Sequence, residues 1–118
     1  MNSRTKTLAA LIVEDMESDA QLLVRMLKKA GYKLVHEQVE TATQMRTALE
    51  KRSWDIVISD YSLPQFSGEG ALEILRETGL DIPFIVVSGT MGEETAVAMM
   101  KAGAQDYLMK DDLARLIP

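Results

Sequence analysis

With 118 residues, 47% of them apolar, and a formal net charge of −5, the chain has the size and composition of one domain with a substantial core. The acidic balance argues against nucleic-acid binding by this domain, and no stretch approaches the ~20 apolar residues of a membrane span. There are no cysteines and His36 is the single histidine, which excludes a disulfide framework, a thiolate metal site and a two-histidine relay within one chain.

Residues 1–7 read as a basic tail without a following signal-peptide pattern, so a cytoplasmic location is expected. Leu8 to Val13 is apolar throughout, a buried strand ending in Glu14-Asp15. Ser18 to Ala30 carries Leu22, Leu23, Met26, Leu27 and Ala30 on one helical stripe, with Gly31 closing it. Leu34 to Val39 is a more polar strand suited to a sheet edge. Thr41 can cap a helix over Ala42 to Arg52 with Ala42, Met45, Ala48 and Leu49 inward.

The run Ile56-Val57-Ile58 is β-branched throughout, as in a strand buried on both faces, and it leads to Asp60. Leu63-Pro64 and Gly68 then force a loop. Glu69 to Thr78 is a third helix with Leu72 and Leu75 inward, closed by Gly79. Ile82 to Val87 is an apolar strand ending in Ser88-Gly89-Thr90. Glu93 to Ala102 is a helix whose first-turn acids and last-turn Lys101 match the helix dipole, and Gly103 closes it. Asp106 to Met109 is a final short strand before Lys110, and Leu113 to Ile117 can open a fifth helix cut short at Pro118.

Regular alternation of strand and helix calls for a parallel α/β sheet with helices on both faces. The strand ends then share one edge, where ligands bind in open α/β sheets. Those ends are Glu14 and Asp15, Asp60, Ser88 and Lys110. Alone, an acid after a strand is as well explained as a loop cap. Three carboxylates crowded together, however, repel by about 1 kcal/mol per pair in water and about 4 kcal/mol at an effective dielectric of 20. Proton uptake or a divalent cation relieves this, and oxygen-only ligands suit Mg²⁺. A lysine and a hydroxyl beside such a site suit a phosphoryl group.

These features resemble the receiver domain of bacterial response regulators, a CheY-like, flavodoxin-like doubly wound sheet of five parallel strands in the order 2-1-3-4-5. The similarity runs from Leu8 to about Ile117 and rests on Glu14-Asp15, on Asp60 opening Asp-x-x-Leu-Pro-x-x-x-Gly, on Ser88, and on Tyr107 and Lys110 as Tyr-x-x-Lys after Ala102-Gly103-Ala104. The resemblance implies a tail over 1–7 and a receiver over 8–118 with a truncated fifth helix. It implies that Asp60 accepts a phosphoryl group from a sensor histidine kinase or a histidine phosphotransfer protein, the receiver catalysing its own phosphorylation and slow dephosphorylation. Asp15, Asp60 and the Ser62 backbone carbonyl would hold Mg²⁺ (Mn²⁺ as an alternative), with Glu14 acting through water. Lys110, Ser88 and the backbone N–H groups of Ser62 and Gly89 would clamp the phosphoryl oxygens. Ser88 and Tyr107 would form the switch, reported by the face of helix four, strand five and helix five to an output domain or protein. Ser62 and Thr90 would tune the phosphoryl lifetime. A monomer or weak homodimer is expected.

Three positions depart from the commonest pattern: Glu14 where aspartate is also common, Ser88 for threonine, and Asp111 for the proline after Lys110. A cis bond at Lys110-Asp111 would cost ~2.5–4 kcal/mol, so a trans peptide is expected there. Ordinary roles suffice for His36 on a solvent-facing strand edge, Trp54 under the sheet edge, Lys28-Lys29 as a solvated helix end and most methionines as core filler, while Met16 is placed to border the pocket. Rival readings are weaker. A haloacid-dehalogenase-like phosphatase wants a second aspartate where Ser62 stands, and a flavodoxin-like cofactor binder would set three acids against a flavin phosphate. A phosphorylation-independent docking module leaves the acids and Lys110 unexplained.

Overall fold

The computed structural model describes residues 7–61, 67–89 and 93–109. Five strands alternate with four helices: β1 (Thr7–Val13), α1 (Glu17–Lys29), β2 (Lys33–Val39), α2 (Ala42–Lys51), β3 (Ile56–Asp60), α3 (Gly68–Thr78), β4 (Phe84–Ser88), α4 (Glu93–Ala102) and β5 (Asp106–Met109). All strand pairs are parallel, in the order β2-β1-β3-β4-β5 expected from the sequence. The fifth helix expected over 113–117 and the Lys110-Asp111 peptide lie outside the described residues.

Each central strand buries both faces, which is why its sequence is a continuous apolar run rather than an alternating one. Ala10, Ile12, Ile58, Val87 and Leu108 pack on one side against Ala20, Leu23 and Leu27 of α1. Leu11, Val13, Val57 and Val86 pack on the other against Met45, Ala48 and Leu49 of α2, Leu72 and Leu75 of α3 and Met99 of α4. β2 has one neighbour, and its exposed and half-buried residues, His36 among the exposed, fit that edge position.

Local signals set most boundaries. Thr41 caps α2, its hydroxyl accepting from Gln44 N at 3.1 Å. Gly79 ends α3 in the left-handed region at φ 74°, where only glycine is comfortable. Four expectations shift. Ala30 is exposed rather than inward, and Ala20 takes the buried place, because α1 is rolled so that its Leu23–Leu27 ridge meets the sheet. α1 begins at Glu17 after Met16, which makes no side-chain cap bond. β4 begins at Phe84 rather than Ile82: Pro83 has no N–H to give, and its carbonyl accepts from Val57 N at 2.9 Å. α2 stops at Lys51, and the extended Arg52 lays its guanidinium 5.6 Å from the centre of the Trp54 ring. Trp54 itself is buried and donates its indole N–H to Ala48 O at 2.8 Å.

Candidate phosphoacceptor site

Strand register brings the site together. Val13 pairs with Ser59, so Glu14 and Asp15 emerge beside Asp60. Asp60 pairs with Val87 and Ser88 with Met109, which sets the Ser88 hydroxyl on the same edge, where β5 also ends. The edge lies where the chain, having run from β1 outward to β2, returns to the other flank of β1 as β3, the position at which doubly wound sheets form a crevice.

One oxygen from each of Glu14, Asp15 and Asp60 lies within 4.8 Å of the others. Glu14 is 1% exposed, Asp60 6% and Ser88 3%, while Asp15 is half-buried. Burial of this kind weakens solvent screening and raises the cost of crowded charge. The backbone around the acids is fixed from several directions. Glu14 N donates to Val39 O at 2.9 Å, Gln38 Nε2 donates to Glu14 O at 2.8 Å, and Glu14 Oε1 accepts from Met16 N at 3.1 Å. Ser59 Oγ donates to Asp60 O at 2.9 Å, and Tyr61 N donates to Val87 O at 2.9 Å. Met16 thus borders the pocket through its backbone, with its side chain 52% exposed.

The donor set fits a hard divalent cation. It offers carboxylate oxygens without sulfur or imidazole, and its half-buried member leaves room for water, as Mg²⁺ or Mn²⁺ requires. Gly89 follows Ser88 with its backbone exposed, and Tyr107 is half-buried on β5. Of the remaining residues expected to serve the site, Ser62, Thr90 and Lys110 lie outside the described residues.

Two residues take a larger part than the sequence suggested. Gly68 is needed for close approach as well as for turning: a Cβ there would stand 3.0 Å from Tyr61 Cα and 3.3 Å from Asp60 O. Tyr61 donates its phenol to Glu69 Oε1 at 3.0 Å, and its ring centre lies 6.4 Å from that of Tyr107 at an interplanar angle of 53°. The hydrogen bond to Glu69 raises the phenol pKa above 10.0, with desolvation and the Glu69 charge acting in the same direction and Thr95 opposing them. Strand alternation carried the signal, since Val57, Ser59 and Tyr61 share the face on which Tyr107 packs.

A family model described as the response regulator receiver domain matches residues 10–117. The chain belongs to the response regulator receiver family. The receiver is 32% identical over 116 residues to the sensory/regulatory protein RpfC of Xanthomonas campestris pv. campestris, covering 95% of this chain and 16% of that protein. It is 33% identical over 100 residues to the transcriptional regulatory protein PrrA of Mycobacterium tuberculosis, covering 85% of this chain and 42% of that one. The receiver therefore spans less than half the length of these curated relatives. Among solved structures, a putative response regulator from Chloroflexus aurantiacus superposes with a TM-score of 0.82 at 25% identity, covering 95% of this chain and 92% of that chain. A Burkholderia pseudomallei response regulator, solved with a phosphorylated aspartic acid, a calcium ion and citrate, superposes at 0.79 and 25% identity, covering 93% and 64%. These likenesses place the receiver in two-component signal transduction. No helix among the described residues is long and apolar enough to cross a membrane.

Proposed function

We propose that this receiver takes a phosphoryl group onto Asp60 from the phosphohistidine of a sensor histidine kinase or histidine phosphotransfer protein. The supporting observation is the convergence of Glu14, Asp15 and Asp60 within 4.8 Å on the C-terminal sheet edge. An Asp60 carboxylate oxygen attacks phosphorus, the P–N bond to the donor imidazole breaks, and the imidazole leaves as the acyl phosphate forms. Positioning and charge neutralisation dominate such transfers. Asp15, Asp60 and the Ser62 carbonyl would hold Mg²⁺ or Mn²⁺, with Glu14 acting through water. When bound, the ion neutralises the carboxylates and the charge of the incoming phosphoryl oxygens. Lys110, the Ser88 hydroxyl and the N–H groups of Ser62 and Gly89 would bind those oxygens.

Ser88, turning toward the phosphoryl group, would vacate space for Tyr107 to swing inward, and the α4–β5 face would report the change to an output domain or protein. Phosphorylation shifts this equilibrium only as far as the contacts differ between the two arrangements. Ser62 and Thr90 would flank the path of the hydrolytic water and set the lifetime. The receiver unit would run over 8–118 after a tail of 1–7, in the cytoplasm, as a monomer or weak homodimer without nucleic-acid contacts of its own.

The test is intact-protein mass after incubation with acetyl phosphate and Mg²⁺. One added phosphoryl group is expected, lost in Asp60→Ala and in chelator. An unmodified wild-type mass would overturn the proposal in favour of a docking module. Lys110→Ala should retain metal binding and lose the response of Tyr107.

A further inference from the structure

Tyr61 has no part in the proposed transfer, yet it joins the acceptor strand to four other elements. Its N–H donates to Val87 O at 2.9 Å in β4, and its carbonyl accepts from Gly68 N at 2.8 Å at the start of α3. Its side chain leaves the sheet on the face opposite that of Asp60 and packs against the core beneath α2, α3 and α4. The phenol donates to Glu69 Oε1 at 3.0 Å in the first turn of α3, and Thr95 approaches it from α4. The ring meets that of Tyr107 at 6.4 Å and 53°, within the range of a favourable tilted aromatic pair.

We infer that Tyr61 is a positioning residue for the Tyr107 switch: anchored by Glu69, its ring holds Tyr107 in the half-buried position seen here. The inference rests on the phosphoacceptor reading above. Tyr107 is half-buried rather than enclosed, so an inward swing is still available to it. A swing that carries it off the Tyr61 ring gives up that aromatic pair. Coupling between two sites is reciprocal, so a group that stabilises the present position of Tyr107 opposes whatever ligand at Asp60 favours another. Freeing Tyr61 from Glu69 removes part of that opposition without altering any group proposed to contact metal or phosphoryl.

The experiment titrates beryllofluoride, an acyl-phosphate mimic, into the Mg²⁺-loaded protein and follows the bound species by ¹⁹F NMR. Tyr61→Phe and Glu69→Ala should each bind it on the order of fivefold more tightly than wild type. The double variant should gain no more than either single one, because both remove one link. In a Tyr107→Ala background the gain should vanish. A purely structural contribution would loosen the site, leaving affinity unchanged or weaker in both variants, and that result would overturn the inference. The acetyl phosphate experiment separates the two levels: a wild type that gains no mass removes the reading and this inference with it. A wild type that gains mass while both variants bind like wild type overturns the inference alone.

Discussion

Val13 stands opposite Ser59 across the boundary between β1 and β3, and this one register match decides where the negative charges collect. A slip of one residue would send the side chains of β1 to the wrong faces. Leu11 and Val13 would then leave the α2–α3 core, and Ala10 and Ile12 the α1 core, all four being fully buried. Packing of the apolar strand therefore fixes the geometry of the acids that follow it, and the cost of crowding them is carried by the burial behind them.

Replacing Asp15 with asparagine tests that crowding. A like-charge pair about 4 Å apart costs ~1 kcal/mol in water and about 4 kcal/mol at an effective dielectric of 20. Asp15 is half-buried, so the lower figure governs. In chelating buffer Asp15→Asn should melt about 3–5 °C above wild type. Added Mg²⁺ should raise the wild-type midpoint more than that of the variant, since a ligand of the folded state stabilises it in proportion to affinity. A chelated variant that melts below wild type would show that the three carboxylates are not in net repulsion.

Gly68→Ala probes the close approach of α3 to the end of β3. The new Cβ would meet Tyr61 Cα at 3.0 Å and Asp60 O at 3.3 Å. Both neighbours are backbone held in place by Tyr61 N to Val87 O and Gly68 N to Tyr61 O, so they yield only by straining the sheet edge. Alanine is the better helix former, but Gly68 is the first residue of α3, where that preference counts least. The variant should lose about 1–2 kcal/mol in urea unfolding, in the range of overpacked cores. A midpoint at or above wild type would mean that the edge relaxes around the methyl group.

Much of this was legible in the sequence, for identifiable reasons. Ile56-Val57-Ile58 announces a strand because burial on both faces leaves no polar positions to blur it. Glu14, Asp15, Asp60 and Ser88 announce a site because a parallel sheet delivers all strand ends to one edge. The roll of α1 was not legible: periodicity marks a stripe along a helix, and only docking decides whether Ala20 or Ala30 lies at its margin. The start of β4 was misplaced because Ile82 is apolar enough for a strand, whereas the pairing depends on an N–H that Pro83 lacks. The meeting of Tyr61 with Tyr107 was missed because their strands are not neighbours. It depends on β4 standing between β3 and β5 with both registers set.

Trp54→Phe isolates a hydrogen bond that holds the end of α2. The indole N–H donates to Ala48 O at 2.8 Å, and Trp54 is 5% exposed. Phenylalanine keeps most of the apolar contact but leaves the Ala48 carbonyl without that donor, at a cost of about 1–3 kcal/mol. Arg52→Ala removes only the cation above the ring and should cost about 0.5 kcal/mol. Thermal unfolding should rank the two variants in that order. Equal losses would shift the weight from the indole hydrogen bond to the guanidinium.

The Tyr61 phenol supplies a pH test. Its hydrogen bond to Glu69 comes first in raising its pKa above 10.0, followed by desolvation and by the Glu69 charge. The folded state thus favours the neutral phenol. A folded pKa above the unfolded one stabilises the protein fully below pH ~10 and ceases to do so as pH rises through the folded value. Glu69→Gln retains an acceptor but removes the charge, so the phenol should titrate closer to its ordinary value. The measurement is the phenolate absorbance of wild type minus that of Tyr61→Phe, recorded in chelator across the alkaline range. A difference curve centred above pH 10 in wild type, and shifted down by Glu69→Gln, is the expected result. A wild-type curve centred at or below pH 10 would show that Glu69 does not hold the phenol in its protonated form, and the anchor proposed for Tyr61 would lose its electrostatic half.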